Sequence, residues 1–472
     1  MTLKIKQINK KAPNPWWALA LLCTSFFMVV TDSTSVYSAL PSIQESLHFS
    51  WGGPAWVIII YMLTFAGLVL LGGRIADYFG RRRMFTLGVV LFTLSATLCG
   101  FSWNGEVLIF ARLIQGVSAA IMTPAALSLV INTFKKERER NKAIGIWGAM
   151  GGIGATGGLL IGGPTTEFLG WEWIFFVNVP MGIIVLVFTP FLLKESNDRT
   201  ISKFDIPGAI LVTCFLLMIA YLITGIPEQG WASSQSLSLL FGSLLVLFLF
   251  IRVEKNSKSP LVPFRIFQSS PLVGGNLLIL LAGMSVDGML YTFTLFIQQL
   301  LGYTALQFGL TMTAMTVLSV VGVYAGQHLV TQTGLRKVGM SGMALLGAGM
   351  VLILILPVAQ HTWMMLIALS VFGIGMGASF VTAQIAALSY INEADSGLAS
   401  GIVETSFSVG GALGIAVMAT VSQLYSGNPD SDVLTHTGVY TSFYVIVGLS
   451  VIGMVISYFY FKGISSPLLS ES

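Results

Sequence analysis

The sequence predicts an all-α polytopic membrane protein with fourteen helical spans. Three observations predict it: a composition too apolar for a soluble domain, fourteen apolar runs of spanning length, and basic residues confined to alternate connections. Hydrophobic residues make up 55% of the 472-residue chain and charged residues 9%, where a soluble protein carries about a quarter charged. A soluble fold of this size would still have to cover its surface with charge, so lipid must be the main solvent.

A helix needs about 20 apolar residues to cross a hydrocarbon core of roughly 30 Å. Such runs occur at 16–40, 54–73, 84–102, 106–132, 143–165, 172–193, 206–225, 235–252, 271–298, 305–329, 338–357, 362–387, 397–423 and 438–461. Backbone polar groups inside lipid must be satisfied within their own segment, which makes these helices. The segment Met1 to Lys11 is polar and basic, and the apolar run after it exceeds a signal h-region and lacks a small-residue cleavage site, so the first span is expected to be retained.

Cytoplasmic connections carry the excess of Lys and Arg. With the N-terminus inside, 23 of the 24 Lys and Arg fall on the cytoplasmic side: Lys4 to Lys11, Arg74 with Arg81 to Arg83, Lys135 to Lys142, Lys194 to Lys203, Arg252 to Arg265, Arg336 with Lys337, and Lys462. The remaining one, Arg112, lies within a span. An extra or missing helix would scramble this alternation, so both termini are expected in the cytoplasm. The net charge of +4 then reflects topology, and no nucleic-acid partner is implied.

The chain also repeats itself. Gly72 and Gly80 stand eight apart and precede Arg81 and Arg82, while Gly326 and Gly334 stand eight apart and precede Arg336 and Lys337. Glycines recur in the fifth span (Gly154, Gly158, Gly162, Gly163) and the thirteenth (Gly410, Gly411, Gly414). Both echoes demand one register, in which two six-helix bundles flank an inserted pair. The expected organisation is a tail at 1–15, a bundle at 16–193, the seventh and eighth spans with flanking loops at 194–258, a bundle at 259–462 and a tail at 463–472. The glycine runs permit close backbone approach, which suits a sliding interface between the bundles; ordinary membrane packing is the alternative.

An ionisable side chain in a span is expensive and usually functional. Four qualify: Asp32 about two thirds along the first span, Arg112 in the fourth, Asp287 near the middle of the ninth and Glu404 in the thirteenth. Buried carboxyls can take and release protons as a cavity opens to either side, so the three acids are candidates for proton coupling. A permanent salt bridge of Asp32 or Glu404 with Arg112 is the alternative, but one arginine cannot neutralise three acids. Gly288 beside Asp287 points to close packing or a local break. Tyr37, Tyr61, Phe293 and Gln298 are placed where they could line a cavity, and cation–π contacts there would suit an organic cation. Trp16, Trp17 and Trp51 fit the membrane interfaces.

The segment Gly73-Arg74-Ile75-Ala76-Asp77-Tyr78-Phe79-Gly80-Arg81-Arg82 resembles the signature loop of the major facilitator superfamily. Asp32-Ser33-Thr34 leading to Ala39-Leu40-Pro41, Trp56-Val57 with Tyr61, Arg112 with Gln115-Gly116, Trp171-Glu172-Trp173-Ile174-Phe175 and Asn178-Val179-Pro180 resemble its fourteen-helix drug/proton antiporter branch. The resemblance runs from about Asp32 to Ala416. It implies the major facilitator fold and proton-coupled export of small amphipathic or cationic compounds such as drugs, dyes and antiseptics. It also implies a role for Arg112 in proton transfer with Gln115 facing the cavity, and a latch in which Asp77 meets the start of another helix while Arg81 and Arg82 tie connections together around Gly73 and Gly80. The chain departs from the family at Tyr78, where Arg is usual, at Leu159, where Pro follows the second glycine of the antiporter motif, at Glu172, where Arg is usual, and at Tyr37, where Asn is frequent.

Other chemistries find no support in the residues. There is no Walker loop for ATP, and the four histidines and three cysteines are scattered with no metal or disulfide spacing. No cofactor, no metal and no catalytic set are expected. The expected partners are a small-molecule substrate, protons and membrane lipids, with the chain monomeric in the cytoplasmic membrane. Export or flipping of a lipid or metabolite on the same fold is the second reading, and a membrane enzyme or receptor the third.

Overall fold

The computed structural model describes residues 14–49, 53–195, 205–257, 260–356, 358, 361–388, 391, 396–426 and 435–462. Lys4, Lys6, Lys10, Lys11, Trp51, Arg199, Lys203, Lys258 and the tail 463–472 lie outside the described residues.

Fourteen helices are long and apolar enough to cross a membrane, and they coincide one for one with the predicted runs: α1 Pro15–Ser46, α2 Gly53–Phe79, α3 Arg81–Gly100, α4 Gly105–Thr133, α5 Glu137–Phe168, α6 Trp173–Leu192, α7 Ile206–Gln229, α8 Ser234–Asn256, α9 Ser270–Leu300, α10 Ala305–Thr333, α11 Leu335–Ile355, α12 Thr362–Leu388, α13 Gly397–Leu424 and α14 His436–Tyr460. No strand occurs among the described residues. Starts are set by local chemistry. Asn104, Asp205 and Ser233 each accept a backbone N–H of the first turn, and Thr304 with Gln307 forms a capping box at α10. α6 is interrupted at Val177, where Pro180 can offer no N–H to the carbonyl of Phe176.

A departure from the expected boundaries that bears on the site lies at the signature segment. α2 runs on to Phe79, so Asp77 is helical, and Gly80 alone separates α2 from α3. At the repeat, α10 runs to Thr333 and Gly334 alone separates it from α11. Both glycines have positive φ, 105° and 85°, a region an L side chain enters only at a cost. The expected loops are single-residue turns, because a helix persists into water once its apolar run ends.

Packing repeats in the same register. α1 packs on α5 as α9 packs on α13, α2 on α4 as α10 on α12, α3 on α4 as α11 on α12, and α3 on α6 as α11 on α14. The two largest contacts between these groups, α2 with α13 and α5 with α10, also exchange under the eight-helix shift, and α1 makes smaller ones with α9 and α10. α7 packs on α8, α2 and α13, while α8 leans on α7 and exposes Phe241, Leu245 and Phe248.

The glycine runs do not form the expected sliding interface. A side chain at Gly154 would meet Val30 at 2.9 Å, one at Gly158 the carbonyl of Thr31 at 2.6 Å, and one at Gly162 Ser35 Cα at 2.9 Å, so these three let α5 lie against α1. Gly410 and Gly414 do the same for α13 on α9, approaching Leu280 and Met284, and Gly288 faces Gly414 and Met418 from the other side. These seams therefore lie within one group of six helices, between its first and fifth members. Gly163 is different, since it meets Ala305 of α10.

Candidate functional site

Asp32 lies in α1 and is 1% exposed. Three side chains from two other helices converge on its carboxylate. Arg112 of α4 forms a salt bridge through Nη1, Gln115 of α4 donates from Nε2 at 2.9 Å, and Asn178 of α6 donates from Nδ2 at 3.1 Å. Arg112 is itself held on several sides. Its Nε donates to the carbonyl of Val57 at 2.9 Å and its Nη1 to Gln115 Oε1 at 2.7 Å, while the guanidinium lies 4.2 Å from the centroid of the Tyr61 ring and 5.8 Å from that of Phe175. Isolated charges this deep would be strongly unfavourable, and they persist because each is paired and hydrogen-bonded. The permanent-salt-bridge alternative is thus realised for Asp32 in this state. Spare capacity remains: Arg112 Nη2, Tyr61 Oη and Asn178 Oδ1 are buried without hydrogen-bond partners.

Asp287 of α9 sits in a second, sparser site. Tyr37 of α1 donates its hydroxyl to Oδ1 at 2.8 Å, and Oδ2 is buried with no partner. The carboxylate occupies space left by Gly411, where a side chain would collide with Oδ2 and with Met62 of α2. The two sites share α1, Tyr37 lying about one and a half turns beyond Asp32, and Arg112 is within electrostatic reach of Tyr37.

Glu404 of α13 is in neither cluster. Its side chain is exposed, although α13 packs against α2, α7, α9 and α14. Its neighbours Gly401 and Thr405 face α2, Thr405 Oγ1 donating to the carbonyl of Ala66 at 3.3 Å. Glu404, Asp32 and Arg112 all lie within electrostatic reach of Tyr61.

The expected cavity-lining residues lie elsewhere. Phe293 is 0% exposed and belongs to an aromatic cluster with Phe296 and Phe443, centroids 5.8 and 6.3 Å away. It is packing, because its helix position faces α14. Gln298 donates to the carbonyl of Ser38 at 3.2 Å and Gln299 to Gln44 at 3.1 Å, fastening the end of α9 to α1. Tyr37, Tyr61 and Gln115 are buried in the two acid sites and face no open cavity.

At the signature segment, Asp77 pairs with Arg81 at 2.8 Å, both part-exposed. The carboxylate at the start of α3 is instead Glu195, which accepts from the backbone N–H of Arg82 at 3.1 Å and of Arg83 at 3.2 Å and lies against Gly80, where a side chain would approach its Oε1 to 2.7 Å. Asp77 therefore meets the first residue of the next helix through a side chain, and Glu195 supplies the backbone capping.

Asn178 and Glu195 were not among the residues expected to act. Asn178 is uncharged and so does not stand out in a span, and Glu195 follows α6 in a connection more than a hundred residues from Gly80. The quoted Asn178-Val179-Pro180 was the available signal for the first.

A family model described as Major Facilitator Superfamily matches residues 22–414 and again 275–469. The chain is 34% identical over 418 residues to the puromycin resistance protein pur8 of Streptomyces alboniger, covering 87% of this chain and 82% of that protein. It is 34% identical over 426 residues to the cephamycin export protein CmcT of Amycolatopsis lactamdurans, covering 89% and 88%. In fold it is similar to a bacterial homologue of the human lysosomal transporter Spinster, solved in an inward-facing and unoccupied conformation, with a TM-score of 0.67 and 16% identity over 97% of this chain and 98% of that one. The chain is thus a multi-pass membrane protein, and it belongs to the Major Facilitator Superfamily.

Proposed function

We propose that the protein exports small amphipathic or cationic compounds, antibiotics among them, across the cytoplasmic membrane in exchange for protons. The drug specificity rests on relatives named for puromycin resistance and cephamycin export. The proton coupling rests on one observation above all: buried Asp32 is compensated by Arg112, Gln115 and Asn178, while Asp287, linked to α1 through Tyr37, is not. In this reading Asp287 carries the exchangeable proton, since a neutral carboxyl removes an uncompensated buried charge. Arg112, within electrostatic reach of the Tyr37 that holds Asp287, senses that proton, and Glu404 meets substrate or a second proton.

The two groups α1–α6 and α9–α14 are read as six-helix halves with α7 and α8 inserted, because the packing pairs repeat under the eight-helix shift. The face carrying Arg81 to Arg83, Lys135 and Arg336 is read as cytoplasmic, with both termini there. Contacts between the halves then seal the outer side: Gln298 with Ser38, Gln299 with Gln44, and Glu167 Oε2 with the N–H of Leu306 at 3.1 Å. On the cytoplasmic side of α5, Gly145, Gly148 and Gly152 face open space, as an inward-open state requires. One proton moving inward yields about 2.3 kcal/mol per 100 mV, enough to drive a substantial gradient, and a path inside one chain needs no second copy.

Reconstitution into liposomes with an imposed pH gradient, challenged with cationic dyes, antibiotics and lipids, tests the reading. Substrate-driven proton movement is expected for dyes and antibiotics and is expected to vanish in Asp287→Asn. Transport of a dye or antibiotic that proceeds at full rate without a proton gradient overturns the coupling, and movement of lipid alone overturns the substrate class.

A further inference from the structure

A second pair of buried acids lies far from the central helices. Asp205 caps α7, its Oδ1 accepting the N–H of Gly208 at 2.9 Å, and Glu254 stands in the last turn of α8. They are 3% and 2% exposed. Both carboxylates converge on Gly208, where a side chain would come within 3.0 Å of Asp205 Oδ1 and 3.1 Å of Glu254 Oε1. The N–H groups of Leu261 and Val262 are near Glu254, yet neither Glu254 oxygen has a hydrogen bond of normal geometry, and Asp205 Oδ2 has none either.

Two described arginines lie near the pair, and neither forms a salt bridge with it. Arg74 of α2, within electrostatic reach of Glu254, donates Nη2 to the carbonyls of Pro260 at 2.5 Å and Leu261 at 3.4 Å. Arg252, half a turn before Glu254 on α8, lies over Phe248 at 5.7 Å. Arg252 and Asp205 both line an open cleft of about 570 Å³ that also takes in Asn256 and Ser257. Two carboxylates packed side by side, buried and short of donors, cannot both be ionised at neutral pH without a compensating positive charge. A proton shared between the two carboxylates removes one of the two charges and supplies the donor that the unpartnered oxygens lack.

We propose that Asp205 and Glu254 form a buried protonation site that holds one shared proton and exchanges it through the cleft beside Arg252. The pair titrates as a unit. Leu261, Leu71 and Ala209 pack together, joining the segment after α8 to α2 and α7, and Arg74 of α2 bonds the same segment. The site thus braces the inserted helices against α2 next to the signature segment, and its deprotonation loosens that brace. This site is independent of the transport reading, since it concerns a proton held at the periphery by residues no transport step uses.

Infrared spectroscopy of the purified full-length protein, with hydrogen–deuterium exchange, reads protonated carboxyl groups directly. At neutral pH a protonated-carboxyl component is expected that persists in Asp287→Asn, which removes any contribution from Asp287, and that is lost when Glu254→Gln is added to that variant. Thermal melting gives a second readout. The unmodified protein should lose stability as pH rises from the ordinary carboxylate range to about neutral and little beyond, whereas Glu254→Gln, a permanent mimic of the protonated form, should lose much less over that range. If Glu254→Gln fails to fold, Asp205→Asn serves instead, and the band should then disappear at lower pH because Glu254 no longer faces a second charge. Spectra and melting profiles unchanged by these substitutions overturn the proposal.

Discussion

Asp32 and Asp287 are both aspartates buried in the middle of the bundle, and their surroundings differ in kind. Asp32 has a guanidinium, two amide donors and a buried frame that holds the guanidinium in turn. Asp287 has one tyrosine hydroxyl and an oxygen facing no donor. Equal residue types in equal burial therefore do different work. The first is a structural charge pair that joins α1, α4 and α6, and the second is a carboxyl whose charge nothing nearby offsets. A proton exchanged at the second site changes the local charge, whereas one added at the first must displace Arg112.

The sharpest way to break this comparison is to remove Arg112. Arg112→Met leaves Asp32 buried without its cation, which costs about 3–5 kcal/mol for pairs of this kind. A large fall in melting temperature in detergent is expected, partly restored when Asp32→Asn is added. Asp287→Asn, by contrast, keeps an acceptor for Tyr37 and should melt close to the unmodified protein. Equal losses for Arg112→Met and Asp287→Asn would erase the distinction between the sites.

Next in size is Gly411→Ala. The added methyl meets Asp287 Oδ2 and, at 2.5 Å, the terminal methyl of Met62. Met62 can swing aside, but the carboxyl cannot move without losing Tyr37, so overpacking of about 1–3 kcal/mol is expected. Gly448→Ala in α14, where nothing lies within 4 Å of the new methyl, should cost nothing. Melting curves of the two variants decide it.

Tyr37→Phe comes third and reads the protonation of Asp287. A hydrogen bond to a neutral group contributes about 0.5–1.5 kcal/mol and one to a charged group about 1.5–3 kcal/mol. The transport reading expects the smaller loss, measured in a double-mutant cycle with Asp287→Asn. A loss in the upper range would show Asp287 ionised in this state.

Much of this was legible in the sequence, for physical reasons that also mark its limits. Hydropathy and the confinement of Lys and Arg gave all fourteen spans, because lipid imposes one rule on every segment. The Gly80 and Gly334 echo located two equivalent turns, since positive φ selects glycine. Asp32 and Arg112 stood out because charges in a span are rare, but Asp32's partners did not, as an uncharged Asn178 looks like any polar residue in a helix. Phe293 and Gln298 were misplaced for a related reason: on a helix buried on all sides, such as α9, no periodicity tells a cavity face from a packing face. Glu195 was out of reach because a cap from a distant connection leaves no local pattern.

The smallest structural effect is expected at Glu404, and it is the most telling about function. Its side chain is exposed, so no buried partner is stranded when it changes and Glu404→Gln should leave the melting temperature almost unaltered. If Glu404 meets substrate or a second proton, the same substitution should reduce proton-linked transport of a cationic dye and change its pH dependence in liposomes, while a neutral substrate suffers less. That pattern would set Glu404 apart from Asp32, whose replacement damages stability and transport together. Unchanged transport of cationic and neutral substrates alike would reduce Glu404 to a solvated surface acid and leave Asp287 as the one acid of the three with an exchangeable proton.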